Sequence, residues 1–319
     1  MSDATAVCTA VIPELGPLRE AQPDAYDHLL ELHALAEAAA DPALQAVARG
    51  QIASILGSDN DATIDVDAAS PTERLVADLT DQFVTCVDDV KPTEHLEPFA
   101  PFLSDADLQK FMEVLYVDDM LYRLRLTYRR LFGAGEGPLS PLSSWAPTTA
   151  GPQALERTMT AAYRHTRDLR AVDLETTELV RLACATYHDC AACQSGRLSV
   201  EGKAVADEAT VAKLMMFESS DLADRHKAAV GLAMAFMIDP DGQIDDALRA
   251  KLFEHFTPEQ LIELTLDLVL WTSQKIIVAL NVDEAREGGL HLTTLEKMQE
   301  NSVEQWLIED EPLPRRKTP

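Results

Sequence analysis

The chain has 319 residues, of which 54 are acidic and 27 are basic, so its formal net charge is −27. Nucleic acids and anionic membrane surfaces would be repelled by this charge, which excludes both as expected partners. No segment joins a basic start to a long apolar run, so the sequence predicts neither a secretion signal nor a membrane span. These features indicate a cytoplasmic protein.

Helical periodicity dominates the chain in sequence order, and no stretch shows the sustained alternation that predicts a sheet. We therefore predict an all-α fold. Three helix starts carry capping signals, at Ser70-Pro71, at Ser104 and at Thr257-Pro258. The predicted helices are 25–40, 42–57, 71–90, 104–132, 151–169, 174–188, 190–203, 208–217, 221–238, 244–255 and 258–282.

A segment rich in Gly, Pro and Ser, residues 134–153, has no helical period and predicts a linker between two lobes. The first helical lobe covers 25–133 and the second covers 154–307. Residues 1–24, whose short apolar pieces are interrupted by prolines, and residues 308–319 are expected to be tails.

The two lobes share a weak internal similarity. Phe83 and Phe236 are 153 residues apart, as are Leu108 and Leu261, each within a similar pair of helical segments. Either the lobes are degenerate repeats or two unrelated amphipathic helix pairs resemble each other. If they are repeats, the first-lobe match to the second lobe's cysteine pair lies near 37–44, where there is no cysteine.

Cys190 and Cys193 form a Cys-x-x-Cys pair, the arrangement in this chain that most resembles a chemical site. On a helix, this spacing puts both sulfurs on one face, and Asp189 is placed to cap the helix start. A cysteine in the first turn faces unpaired N–H groups and the positive end of the helix dipole, which favour the thiolate. In a reducing compartment such a pair indicates redox chemistry or metal binding rather than a structural disulfide.

Three charged or titratable residues are candidates for the same site. Arg197, four residues after Cys193, shares the predicted helical face and would favour the thiolate. Glu178 is twelve residues before Cys190, and an antiparallel helix would return its carboxylate to the thiols as a general base. His188 is the nearest group that titrates close to neutral pH.

Other interpretations of the pair are structural zinc or ordinary core cysteines. Zinc needs four ligands, and neither a second Cys-x-x-Cys nor a His-x-x-x-His is present. Cys184 is expected to be a core residue, and Cys8 and Cys86 to be incidental. No Gly-rich phosphate loop is visible, so the sequence predicts no nucleotide cofactor, and we expect no cofactor of any kind.

The segment from Glu178-Leu-Val-Arg to Cys190-Ala-Ala-Cys193 resembles the carboxymuconolactone decarboxylase family, in its alkylhydroperoxidase D-like branch. That family has a Glu, a Cys-x-x-Cys twelve residues later, and a His four residues after the second cysteine. The segments at Arg225-His-Lys-Ala-Ala, Phe256-Thr-Pro-Glu-Gln and Val278-Ala-Leu-Asn are similar to its downstream helices. The resemblance covers roughly residues 151–285.

The resemblance implies an alkylhydroperoxidase D-like helical bundle, usually a homo-oligomer, that reduces hydroperoxides and recovers its electrons from a dithiol donor protein. It implies that Cys193 attacks the peroxide, that Cys190 resolves the sulfenic acid as a disulfide, and that Glu178 belongs to the proton relay.

This chain departs from the family at one position, because Arg197 stands where the family has His. Arginine does not shuttle protons near neutral pH. Either the proton relay runs through His188 or water, or classical peroxidase activity is reduced or lost. The alternatives are a carboxymuconolactone decarboxylase-type enzyme and a non-catalytic helical oligomerisation or binding protein with a vestigial cysteine pair.

Overall fold

The computed structural model describes residues 11–57, 69–133, 139–151, 153–285 and 289–294. Several predicted features lie outside these residues: Cys8, residues 134–138 of the linker, the end of the predicted second lobe and the predicted tail 308–319. The α-helices of the described part are α1 (Gly16–Ala21), α2 (Pro23–Ala39), α3 (Pro42–Leu56), α4 (Pro71–Thr85), α5 (Asp105–Phe132), α6 (Ala154–Asp168), α7 (Leu174–Tyr187), α8 (Ala191–Gln194), α9 (Glu208–Val211), α10 (Asp224–Ile238), α11 (Pro240–Gln243), α12 (Asp246–His255), α13 (Pro258–Thr272) and α14 (Gln274–Ala279).

The predicted all-α class is confirmed, and the three predicted caps are present. The hydroxyls of Ser70, Ser104 and Thr257 each accept from the backbone N–H three residues on, and the side chain at that third position bonds back. These capping boxes satisfy N–H groups that a helix start leaves unpaired. In the described residues, no helix is both long and apolar enough to cross a membrane.

The helix predicted over 190–203 ends with the four residues of α8, and a small sheet takes the place of the rest. Strands β1 (Gly196–Val200), β2 (Lys203–Ala204) and β3 (His291–Thr293) lie in the order β2-β1-β3, with β1 antiparallel to β2 and parallel to β3. Glu201 and Gly202 have φ angles of 51° and 76°. Two adjacent residues with positive φ form a tight hairpin turn and cannot continue a helix, so the helix prediction was wrong here.

The predicted tail at 1–24 is also wrong for its described part, residues 11–24. Ile12, Leu15 and Leu18 are almost completely buried in the core. Pro13 and Pro17 lie in the first positions of a short 3₁₀ helix and of α1. Proline is well tolerated there because the first N–H groups of a helix have no internal partner, so these prolines begin helices instead of breaking them.

Helices from both predicted lobes share one core. Helix α5 is buried along most of its length and contacts α2, α3, α13 and α14. The Tyr116 hydroxyl donates to the Val269 carbonyl, and the Lys275 ammonium lies 2.7 Å from the Asp119 carboxylate. A single cluster of buried apolar side chains runs through both halves. The lobe boundaries stay a prediction.

The helices correspond in pairs. Helices α4 and α10, and likewise α5 and α13, begin 153 residues apart. Helix α3 packs on α4 and α5, as α7 packs on α10 and α13, so α3 and α7 occupy equivalent places. The connection from α7 to α10 has 36 residues, whereas that from α3 to α4 has 14. The cysteine loop therefore corresponds to the chain after α3, not to residues 37–44 as the constant offset predicted.

Candidate redox site

Cys190 and Cys193 are joined as a disulfide, with their Cα atoms 5.3 Å apart. Cys190 is fully buried and Cys193 is partly exposed. Cys190 precedes the four-residue helix α8, and its Sγ lies 3.3 Å from the backbone nitrogen of Cys193. The two residues therefore differ in exposure to solvent, and Cys193 is the more exposed of the two.

A sharp reversal after α7 carries this pair. Asp189 has a φ of 48°, in the left-handed region that Asp tolerates better than most residues. The backbone N–H of Cys190 then returns to the Ala185 carbonyl, at 3.0 Å. The Asp189 carboxylate accepts from the Gln194 side chain at 3.1 Å. The predicted cap at Asp189 is wrong, because the position that caps α8 is Cys190.

Asp283, which sequence reasoning missed, binds the start of α8. Its carboxylate accepts from Ala191 N at 2.8 Å, and its carbonyl accepts from Ala192 N at 2.9 Å. Asp283 is buried and is 92 residues from Ala191 in sequence, so no local motif could have indicated it. These N–H groups are occupied, so they do not stabilise a thiolate as the sequence argument expected.

Glu178 lies against Arg181 and strand β1 and makes no hydrogen bond to either cysteine sulfur, so its role as a general base stays a prediction. Its carboxylate is completely buried and accepts from Arg181 Nε at 2.7 Å, from Arg181 Nη2 at 2.9 Å and from Leu198 N at 3.0 Å. Arg181 also donates to the carbonyls of Cys193 and Gly196, at 2.9 and 2.8 Å. The pair thus fixes the backbone on which Cys193 lies. The Glu-x-x-Arg spacing, one helical turn, was the available signal for Arg181.

His188 is buried beside the cysteine loop without bonding to either sulfur. Its Nδ1 accepts from the Gln274 amide at 3.1 Å, which places the ring proton on Nε2. Burial, followed by the charges of Lys275 and Arg123, lowers the pKa of His188 well below 6.5. The imidazole is therefore neutral near pH 7.

Arg197 lies on strand β1, so the prediction that it shares a helical face with the cysteines was wrong. Its guanidinium pairs with Glu208 at 3.0 Å and donates to the carbonyls of Gln194 and Gly196. Because the chain turns into the hairpin after Gln194, the four-residue spacing from Cys193 no longer has its helical meaning. Arg197 supports the end of the loop.

The remaining thiols of the described residues have raised pKa values. Burial raises the pKa of Cys184, which is completely buried. Burial, followed by a bond to Asp88, raises the pKa of the exposed Cys86 to about 11. Neither thiol is ionised near neutral pH. The described residues also contain no group of three or more His, Cys, Asp or Glu side chains placed to hold a metal ion.

Comparison with known proteins gives distant relatives. The chain is 29% identical over 222 residues to two Mycobacterium tuberculosis sequences, each described as an uncharacterized protein: MT2376 of strain CDC 1551 / Oshkosh and Rv2313c of strain ATCC 25618 / H37Rv. Each match covers 68% of this chain and 75% of the relative. No family model matches the chain. No solved structure matches it.

Proposed function

We propose that the protein is a thiol–disulfide oxidoreductase that uses Cys190 and Cys193 to reduce hydroperoxides. The observation that carries this proposal is the asymmetric pair, a partly exposed Cys193 joined to a fully buried Cys190. A peroxidatic thiol must meet its substrate, whereas a resolving thiol needs only to reach its neighbour. The resemblance of Glu178 and the Cys-x-x-Cys pair to the alkylhydroperoxidase D-like branch agrees with this assignment.

The proposed cycle has three steps. The Cys193 thiolate attacks one peroxide oxygen, the O–O bond breaks, and the alkoxide leaves as an alcohol after taking up a proton, which gives the Cys193 sulfenic acid. The Cys190 thiol then attacks that sulfur, which forms the disulfide and releases water. A dithiol donor protein reduces the disulfide through a mixed disulfide and is itself oxidised.

We assign the proton transfers of this cycle to water. Both oxygens of Glu178 accept bonds from Arg181, His188 bonds to Gln274, and Arg197 pairs with Glu208. Without a positioned general acid or base, a reaction loses typically about 10²–10⁴-fold in rate. We therefore expect slow reduction of peroxides and faster exchange with a dithiol, which needs no such relay. The proposal includes a homo-oligomeric, cytoplasmic protein, as the resemblance and the charge imply.

A count of thiols after peroxide treatment tests the proposal. The reduced protein, freed of reductant, is mixed with a small excess of hydrogen peroxide, and thiols are titrated in denaturant before and after. The wild type should lose two thiols per chain. Cys193→Ser should lose none, and Cys190→Ser should lose one and label as a sulfenic acid.

Cys86→Ser is the matched control and should still lose two thiols. Thiol counts that stay constant in the wild type, at peroxide concentrations that oxidise a small dithiol, would contradict the proposal. Such a result would favour the non-catalytic binding protein.

A further inference from the structure

A cavity of about 600 Å³ lies in the N-terminal half of the chain, among α2, α3, α5 and the segment 139–142. This volume is typical of sites for small organic molecules. The described residues that line it include neither Cys190 nor Cys193, so the cavity is separate from the candidate redox site.

Part of the cavity wall is apolar. The aliphatic side chains of α3, α5 and the adjoining segment form this part: Ile52, Leu121, Leu126, Leu139 and Leu142. Such a wall favours a ligand with a hydrocarbon body, because its burial removes apolar surface from water.

Three arginines supply the polar part of the lining. They are Arg49, Arg125 and Arg129, whereas Asp118 is the one acidic side chain among the described lining residues. The whole chain has twice as many acidic as basic residues. Each of these arginines is paired with a carboxylate: Arg49 with Glu37 and Asp118, Arg125 with Glu14, and Arg129 with Asp241. The positive charge of the lining is therefore balanced, and an anion would be held through a guanidinium nitrogen that these pairs leave open.

Arg125 is held in place and keeps a donor available. Its Nε and Nη2 donate to the Glu14 carboxylate at 3.2 and 3.0 Å, and Nη2 also donates to the Ser140 carbonyl at 2.7 Å. Only 5% of its side chain is exposed. In the described part of the chain, Nη1 of Arg125 has no hydrogen-bond partner. Nη1 is not fully buried, so water or a ligand in the cavity can accept a hydrogen bond from it.

Arg49 and His33 form a second polar group in the lining. Arg49 donates to Asp118 at 3.0 Å and to Glu37 at 2.9 Å, and its Nη2 lies 3.4 Å from His33 Nδ1. Burial lowers the pKa of His33 to about 4. Because Arg49 has only donors, His33 Nδ1 accepts and Nε2 carries the proton. The neutral imidazole adds a donor without adding charge.

We propose that this cavity binds a small organic carboxylate with an apolar body. Nη1 of Arg125 can donate to a carboxylate oxygen of the ligand, because the bonds of Nε and Nη2 to Glu14 and Ser140 orient the guanidinium before the ligand arrives. The aliphatic wall takes the hydrocarbon part. The proposal is independent of the cysteine pair and of the proposed peroxidase activity.

Calorimetric titration with 4-phenylbutanoate and with its uncharged match, 4-phenylbutan-1-ol, tests the proposal. The carboxylate should bind at least about tenfold more tightly than the alcohol, the difference expected of one charge-assisted hydrogen bond. Arg125→Gln should weaken carboxylate binding about tenfold or more.

Because Arg125 also bonds to Glu14, its replacement can weaken binding by destabilising the fold. Two further variants separate that effect from the loss of a binding group. Leu139→Trp, in the non-helical segment, should fill the cavity and abolish binding while far-UV circular dichroism stays unchanged. Arg164→Gln, an exposed arginine on α6, is the matched control and should bind like the wild type. The proposal is overturned if the wild type binds neither compound, binds both equally, or keeps its affinity in both cavity variants.

Discussion

Several titratable side chains of this protein are buried, and each is held by a particular neighbour. Glu178 is held by Arg181, His188 by Gln274, and Lys275 by Asp119. Burial lowers the pKa of Lys275 to about 8, although Asp119 raises it. At the residue scale, packing therefore fixes the position of each of these groups. For His188 and Lys275, burial also lowers the pKa below that of the unfolded chain.

His33 gives a pH-dependent prediction. In the folded protein its pKa is about 4, against 6.5 in the unfolded chain. The unfolded chain therefore takes up a proton first as the pH falls, and the stability present above pH 6.5 is lost as the pH falls toward 4. His33→Gln removes this loss. The difference in the free energy of unfolding between wild type and variant should fall by roughly 2–3 kcal/mol from pH 7 to pH 4.

Urea unfolding at a series of pH values measures this difference. The variant must be compared with the wild type at each pH because Glu113 also makes stability depend on pH. Burial raises the pKa of Glu113 to about 7, so its contribution to the free energy of unfolding grows as the pH falls, opposite to that of His33. His255→Gln, in α12, controls for the loss of a histidine elsewhere. A difference between wild type and His33→Gln that does not change with pH would refute the assignment of a low pKa to His33.

At the element scale, local signals were sufficient where the element was stabilised by its own residues. Ser104 and Thr257 predicted their helix starts, because a capping box is formed by residues three apart. The segment after Cys193 was predicted as helix and formed β1 and β2. Its outcome depends on β3, nearly a hundred residues later, and on Glu178, which accepts the Leu198 N–H. Helical periodicity over a short window carries no information about such partners.

The Glu178–Arg181 pair connects α7 to the cysteine loop and β1, and its loss should loosen all three. Glu178→Gln leaves a buried arginine without its counter-charge, which should lower the free energy of unfolding by about 3 kcal/mol. The reduced variant should also alkylate faster at Cys193, because Arg181 no longer holds the Cys193 carbonyl. Urea unfolding and timed alkylation measure the two effects.

Glu175→Gln, exposed on the first turn of α7, is the matched control and should change stability by less than about 0.5 kcal/mol. Equal stability and equal alkylation rates in the two variants would show that the Glu178 pair does not support the loop.

At the scale of the whole molecule, both halves depend on one core. Tyr116 and Tyr128 on α5 bond to Val269 and Thr265 on α13, and buried apolar side chains continue from one half to the other. Unfolding of either half would therefore expose the core of the other, which makes the transition cooperative.

We expect a single unfolding transition in urea. Two single-tryptophan variants report on the two halves, one keeping Trp145 beside His33 and one keeping Trp271 in α13, with the other tryptophans replaced by Phe. Their fluorescence midpoints should coincide with each other and with the loss of far-UV circular dichroism. Two separated midpoints would instead support independent lobes at the predicted boundaries.

The sequence by itself determined the helical class, most helix starts and the Cys190–Cys193 pair, because periodicity, caps and a three-residue spacing depend on nearby residues. Only the tertiary structure decided what surrounds the pair. Asp283 binds α8 from 92 residues away, Arg181 intervenes between Glu178 and Cys193, and the hairpin directs Arg197 to Glu208. Those contacts join residues that are distant in sequence or depend on the hairpin, and they arise from the packing of the whole chain.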